Sequence, residues 1–129
     1  METTACMNRE LHESNARLNQ IYTMLTQALE KPRRLRIAQR AWLKFRDAQC
    51  AFDTAEMSEG SAASYTIDLC YVRVTEGRIA TLESILPCNG CVLFKKKYYE
   101  QPFQWPKRPR LATLPVLDTQ ETSQPNEEP

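Results

Sequence analysis

Between Leu11 and Leu86 the chain has only two interruptions with the character of a turn, Pro32 and the Ser58-Glu59-Gly60-Ser61 stretch, and Pro87 closes the run. Within each of the three segments so defined, apolar residues recur at three- and four-residue spacing, the mark of one helix face. The first segment carries Leu11, Leu18, Ile21, Tyr22, Leu25 and Leu29. Thr3 or Thr4 is a candidate N-cap for it, and Pro32 ends it, because the residue before a proline is pushed out of the α region. A second helix is predicted from about Arg33 to Met57, with Leu35, Ala38, Ala41, Trp42, Phe45 and Phe52 on its apolar stripe. A third is predicted from about Ala62 to Leu86, carrying Tyr65, Leu69, Val72, Ile79, Leu82 and Leu86.

Short connections between long helices force antiparallel neighbours. Folding the first pair about residues 31–32 levels Leu25 with Ala38, Ile21 with Trp42, Leu18 with Phe45 and Leu11 with Phe52. Folding the second about Gly60 levels Trp42 with Arg78, Ala41 with Ile79 and Ala38 with Leu82. Apolar side chains meet at most levels of both hairpins. The expected fold is all-α: an antiparallel up-down-up three-helix bundle over residues 1–86, with an extended C-terminal segment after it. Seven of the eight prolines lie beyond position 86. Residues 87–117 read as an extended basic and aromatic segment, and residues 118–129, rich in Pro, Ser, Gln and Glu, as a disordered tail.

The same register sets Cys50 and Cys70 each ten residues from Gly60, at one height on facing helices. A disulfide there closes a loop whose constraint on the unfolded chain is worth roughly 3 kcal/mol in the chain-entropy account. The remaining cysteines are less determined. Cys88-Asn89-Gly90-Cys91 is a C-x-x-C, open to a structural disulfide (within the pair or to Cys6), half of a zinc site, or a redox pair. It follows a helix end rather than opening a helix, and no second ligand pair with zinc spacing accompanies it. Five cysteines in 129 residues favour an oxidising compartment. Residues 1–20 contain no apolar h-region of a signal peptide, which leaves open a mature exported form, a start further upstream, or a cytosolic protein. No apolar run is long enough to span a membrane.

Charge is unevenly distributed beneath a formal net of +1. Residues 1–86 hold 11 basic and 11 acidic side chains; residues 87–110 hold six basic (Lys95, Lys96, Lys97, Lys107, Arg108, Arg110) against Glu100; residues 111–129 hold four acids and no base. Interleaved with the basic groups are Phe94, Tyr98, Tyr99, Phe103 and Trp105. Segment 94–110 is therefore a candidate anion-binding element, or an extended strap that packs its aromatics on the bundle. No nucleic-acid motif accompanies it, so no nucleic-acid partner is expected.

Enzyme chemistry finds little support. His12 is the sole histidine and is expected on the solvated face of the first helix. No nucleophile, base and orienting group can be assembled, no paired carboxylates stand out, and three glycines make no phosphate loop. A non-enzymatic protein without cofactor or bound metal is expected. The one cluster that invites a functional reading is Trp42, Arg46, Asp47 and Arg78. Trp42 and Arg46 share a helix face, Arg78 is levelled with Trp42 within cation–π range, and Asp47 is levelled with Arg73. The cluster is either a binding surface or an interhelical clamp around the core.

The stretch Gln39-Arg40-Ala41-Trp42-Leu43-Lys44-Phe45-Arg46-Asp47-Ala48-Gln49-Cys50 resembles the signature of the LprI-like lysozyme-inhibitor family. Cys6, Leu18-Asn19-Gln20-Ile21-Tyr22, Glu59-Gly60-Ser61, and Cys70 with Thr75, Arg78 and Leu82 extend the likeness over about residues 5–86. The resemblance implies an exported helical domain of the bacterial envelope, periplasmic or secreted, stabilised by disulfides. Its implied partner is a lysozyme or another cell-wall hydrolase, bound without catalysis. The turn between the second and third helices, with Glu56, Glu59 and Ser61, is the candidate partner-binding surface for a cationic hydrolase. In relatives the cysteine matching Cys6 is often paired with one further upstream, and only five residues precede it here. The resemblance ends at Pro87.

The register makes one direct prediction. Peptide mapping without reduction should recover Cys50 and Cys70 in one linked fragment; free alkylation of both before reduction would refute the paired hairpin.

Overall fold

The computed structural model describes residues 2–57, 61–87, 92–100 and 103–110, with side chains described from residue 5 and, in the third helix, from residue 62. The C-terminal stretch 111–129, and with it the expected disordered tail, lies outside the described residues. Three helices account for most of the described chain: α1 (Glu2–Ala28), α2 (Arg33–Asp53) and α3 (Ser61–Glu83). α1 begins before Thr3 and Thr4, so neither threonine is its cap. α2 stops four residues short of the expected Met57. There the Thr54 hydroxyl and backbone N–H both donate to the Cys50 carbonyl, at 2.7 and 3.1 Å, and close the last turn.

The up-down-up order is present. Ser14 meets Glu76 and Arg17 meets Glu83, so α1 and α3 run parallel. Cys50 bonds Cys70, and Arg78 meets Gln39, so α2 and α3 run antiparallel. α3 is the helix that α1 and α2 share, with its more extensive packing against α1. The buried core follows from this arrangement: Leu18, Ile21, Leu25, Ala28 and Leu29 of the first segment close on Ile79 and Leu82 of α3. Burying side chains of this size is worth about 1.5–3 kcal/mol each.

On α2 the expected stripe is displaced. Phe45 and Phe52 are 53% and 76% exposed, and Ala38 and Ala41 are exposed as well. The buried residues of α2 are Gln39, Arg46 and Cys50, with Leu35 and Trp42 packed on the core beside them. The cause is angular. At about 100° per residue, Cys50 stands about 200° from Phe52 and 140° from Phe45, but within about 80° of Gln39, Trp42 and Arg46. A helix that turns Cys50 to α3 must turn Phe52 to solvent.

Residues 92–100 and 103–110 form a strap laid back along the bundle. Lys95 N–H donates to the Ala28 carbonyl at 2.8 Å, and Glu30 N–H to the Leu93 carbonyl at 3.0 Å, an isolated antiparallel bridge centred on Leu29 and Phe94. Phe94, only 2% exposed, thereby enters the core. A 3-10 turn over Lys96–Tyr99 follows. Tyr98, Tyr99 and Phe103 meet the Phe94 ring edge-on at 6.2, 6.4 and 5.7 Å, and Phe103 meets Trp105 at 4.9 Å. Such pairs add about 0.5–1.5 kcal/mol each beyond area burial. Further on, Trp105 Nε1 donates to the Glu83 carbonyl at 3.0 Å, Arg17 to the Pro106 carbonyl at 2.6 Å, and Arg108 pairs with Glu76 at 2.5 Å.

Two substitutions separate core from surface. Phe94→Ala should lower the unfolding free energy by about 3–5 kcal/mol, whereas Phe52→Ala should stay within about 0.5 kcal/mol. Urea midpoints of the oxidised protein measure both, and an unmoved midpoint for Phe94→Ala would place the strap off the core.

Candidate functional site: an arginine-centred cluster between three helices

The sequence-predicted cluster assembles around Arg46. Its guanidinium lies over the Trp42 ring at 5.1 Å and the Tyr71 ring at 5.0 Å from the centroids. Nη1 donates to the Thr75 hydroxyl of α3 at 3.0 Å and to Asn15 Oδ1 of α1 at 3.4 Å. Arg46 therefore starts on α2 and is bound by both other helices while only 4% exposed. Burial lowers its pKa from the ordinary guanidinium value, partly opposed by the charge of Asp47 and by Tyr71; an arginine starts so high that it stays charged in place.

Arg78 completes the far side. Its guanidinium lies over Trp42 at 5.8 Å, and its Nε donates to Gln39 Oε1 at 2.9 Å. Burial likewise lowers its pKa. Asp47 takes the Tyr71 hydroxyl at 3.2 Å, with Arg46 Nε at 3.9 Å, rather than the levelled Arg73. Burial first, then the charge of Asp47 and the hydrogen bond to it, raise the Tyr71 phenol pKa; Arg46 pulls it back. Trp42, Arg46, Asp47 and Arg78 thus come together, and buried Gln39, Asn15 and Thr75 serve them. These contacts tie α2 to both other helices, with Asp47 the exposed member of the four. Asn15 and Tyr71 carried no sequence signal of their own, although the hairpin register that levels residue 46 with residue 74 points close to Tyr71 and Thr75.

The other candidates separate. Cys50 and Cys70 are joined, with Cα atoms 5.8 Å apart, inside the usual disulfide range. Cys6 is an exposed free thiol, and Cys88 and Cys91 lie outside the described residues. Glu56 is exposed just past the end of α2; Ser61 begins α3 without a described side chain, and Glu59 lies outside the described residues. His12 is half-buried rather than on a solvated face. It lies near Asp68 of α3, whose pKa burial raises while the Asn8 hydrogen bond and the His12 charge lower it. Among the described residues no group of His, Cys, Asp or Glu is arranged to hold a metal ion, and no helix is long and apolar enough to cross a membrane. In segment 94–110 Phe94, Tyr98, Phe103 and Trp105 turn inward, while Tyr99, Lys95, Lys96, Lys97 and Lys107 remain exposed.

Arg46→Lys should behave as a severe change. A lysine carries one compact ammonium and cannot lie over two rings while also donating along both helices. Hydrogen bonds to charged groups contribute about 1.5–3 kcal/mol, so a stability loss of at least that size is expected in thermal or urea unfolding. A neutral result would mean that the guanidinium does not hold the helices together.

Comparison with known proteins agrees with the geometry. The lysozyme inhibitor LprI family matches residues 1–82, and so covers α1, α2 and the Arg46 cluster and nearly all of α3. An uncharacterised protein of Rhizobium meliloti (strain 1021) is 25% identical over 101 residues, covering 67% of this chain and 73% of the relative. No solved structure matches. With the match spanning well over half of the chain, the protein belongs to the lysozyme inhibitor LprI family.

Proposed function

We propose that this protein is a non-enzymatic binding protein of the bacterial envelope, periplasmic or secreted, that inhibits a lysozyme-type cell-wall hydrolase by covering its substrate cleft. Family membership supports the activity. Arg46, at the centre of the cluster, is buried and bonded to α1 and α3, which supports a contact surface elsewhere. The observation that carries the choice is the outward face of α2, where Phe52 and Phe45 stand exposed. Seven residues apart, they lie within about 20° of one another around the helix. Ile37 and Ala41 continue the same face, and Asp53 and Glu56 add carboxylates at its C-terminal end.

This combination fits a cationic partner with a groove. Aromatic residues are enriched at the cores of protein interfaces, and complementary charge speeds encounter and fixes register. Phe52 is the anchor in this reading, Phe45 extends the apolar contact, and Asp53 and Glu56 form the acidic rim. No covalent step is involved. Inhibition is occlusion, saturable and reversible.

The test is a titration of the full chain against a lysozyme acting on bacterial cell walls. Phe52→Ala should weaken inhibition at least tenfold, equivalent to about 1.4 kcal/mol, with the unfolding midpoint unchanged. Asp53→Lys plus Glu56→Lys should slow association most at low salt, where charge is least screened. Inhibition that is indifferent to both changes would reject this face, and the absence of inhibition by the unmodified chain would reject the activity.

A further inference from the structure

The end of the bundle that carries Pro32 and Pro87 has a surface the inhibitor reading does not use. Val92 and Leu93 are 50% and 63% exposed there, and Leu86 is exposed as well. Val92 and Leu93 border a groove of about 380 Å³ floored by Leu35 and Ile85 and rimmed by Lys31 and Arg34. The pairing of Leu93 with Glu30 holds these tips in place beside the turn between α1 and α2. Basic groups gather around them. Residues 30–36 hold Lys31, Arg33, Arg34 and Arg36, and residues 92–100 hold Lys95, Lys96 and Lys97, against Glu30 and Glu100 alone. Lys95 is fixed beside Ala28 by its backbone bond. None of these seven cations is in an ion pair with a described residue.

We infer that this end docks on an anionic phospholipid bilayer, with Leu86, Val92 and Leu93 entering the headgroup boundary and the surrounding lysines and arginines lying against lipid phosphates. Shallow apolar insertion ringed by cations is the chemistry of interfacial attachment. The apolar side chains project outward as tips rather than closing around a ligand, which favours a surface over a single amphiphile. A nucleic acid is a poorer fit, because Phe94, Tyr98, Phe103 and Trp105 are packed on the core and only Tyr99 is left exposed to stack on a base. The arrangement also orients the molecule. Phe52 lies eighteen residues beyond Arg34 along α2, about 27 Å at 1.5 Å per residue, so the Phe52 end of the inhibitor face is held away from the docking end.

The experiment is co-sedimentation of the full, oxidised chain with phosphatidylcholine vesicles, with and without phosphatidylglycerol. Binding is expected to the phosphatidylglycerol vesicles alone, and to weaken with salt. Lys31→Gln plus Arg34→Gln should reduce partitioning about fivefold for each charge, Val92→Ser plus Leu93→Ser should abolish it at physiological salt, and Phe52→Ser should leave it intact. All of these side chains are exposed, and far-UV circular dichroism together with Cys50–Cys70 mapping confirms that each variant is folded. No binding to the anionic vesicles, equal binding to both compositions, or binding that survives both double variants would each overturn the inference. So would saturable uptake of a fluorescent fatty acid by a protein that ignores vesicles, since the groove would then be a pocket for a single amphiphile.

Discussion

One guanidinium group touches all three helices. Arg46 leaves α2, passes between the rings of Trp42 and Tyr71, and reaches Thr75 on α3 and Asn15 on α1. This matters because α2 has little apolar surface facing inward: its buried residues are a glutamine, an arginine and a cysteine. A helix attached in this way depends on directional contacts rather than on area. Each hydrogen bond and each ring contact restricts its rotation about its own axis, which apolar burial alone does less strictly. The disulfide one turn further along the helix, Cys50 to Cys70, adds a covalent tie to α3 on the same side. With rotation fixed, the phenylalanines of α2 have no access to the core and remain on the outside.

The number, order and direction of the helices were legible in the sequence, because prolines and three-four periodicity state them almost without competition. The disulfide was legible from the same register. The face of α2 was not read correctly, and the reason lies in residue type. A stripe through Phe45 and Phe52 satisfies helical spacing as well as one through Trp42, Arg46 and Cys50, and hydrophobicity favours the wrong one. The contradiction was nonetheless present in the sequence, since Cys50 and Phe52, two residues apart, cannot face the same neighbour. The inward turn of Phe94, Tyr98, Phe103 and Trp105 was open to either reading, because alternation of lysine with tyrosine and phenylalanine describes a solvated binding element and a packed strap equally well. What decides between them is a long-range contact, Phe94 against the end of α1, that local pattern does not encode.

The chain's charge, nearly neutral in sum, is arranged by position along the bundle. Cations gather at the Pro32 end and on the early part of the strap, while Asp53 and Glu56 lie at the far end of α2. Some of the strap's basic character is consumed internally: Arg108 is held by Glu76, which also takes the Ser14 hydroxyl. Lys95, Lys96, Lys97 and Lys107 remain exposed, the first three just after the Leu29–Phe94 bridge. Net charge conceals this polarity, and segment-by-segment sums recover only part of it, because Lys31, Arg33, Arg34 and Arg36 lie within residues 1–86, whose charges sum to zero.

The placement of Phe94 bears on the order in which the protein can be completed. Similarity to the family runs to residue 82, but the side chain that fills the space between Leu29 and α3 comes twelve residues later. A chain growing from its N-terminus presents all three helices while that space is still empty, and the gap closes only when the strap arrives and pairs with Ala28 and Glu30. The last contact is also among the longest in sequence, so its loop must be closed against chain entropy after the local helices have formed. In this protein the edge of family similarity and the edge of the cooperative folding unit therefore fall in different places.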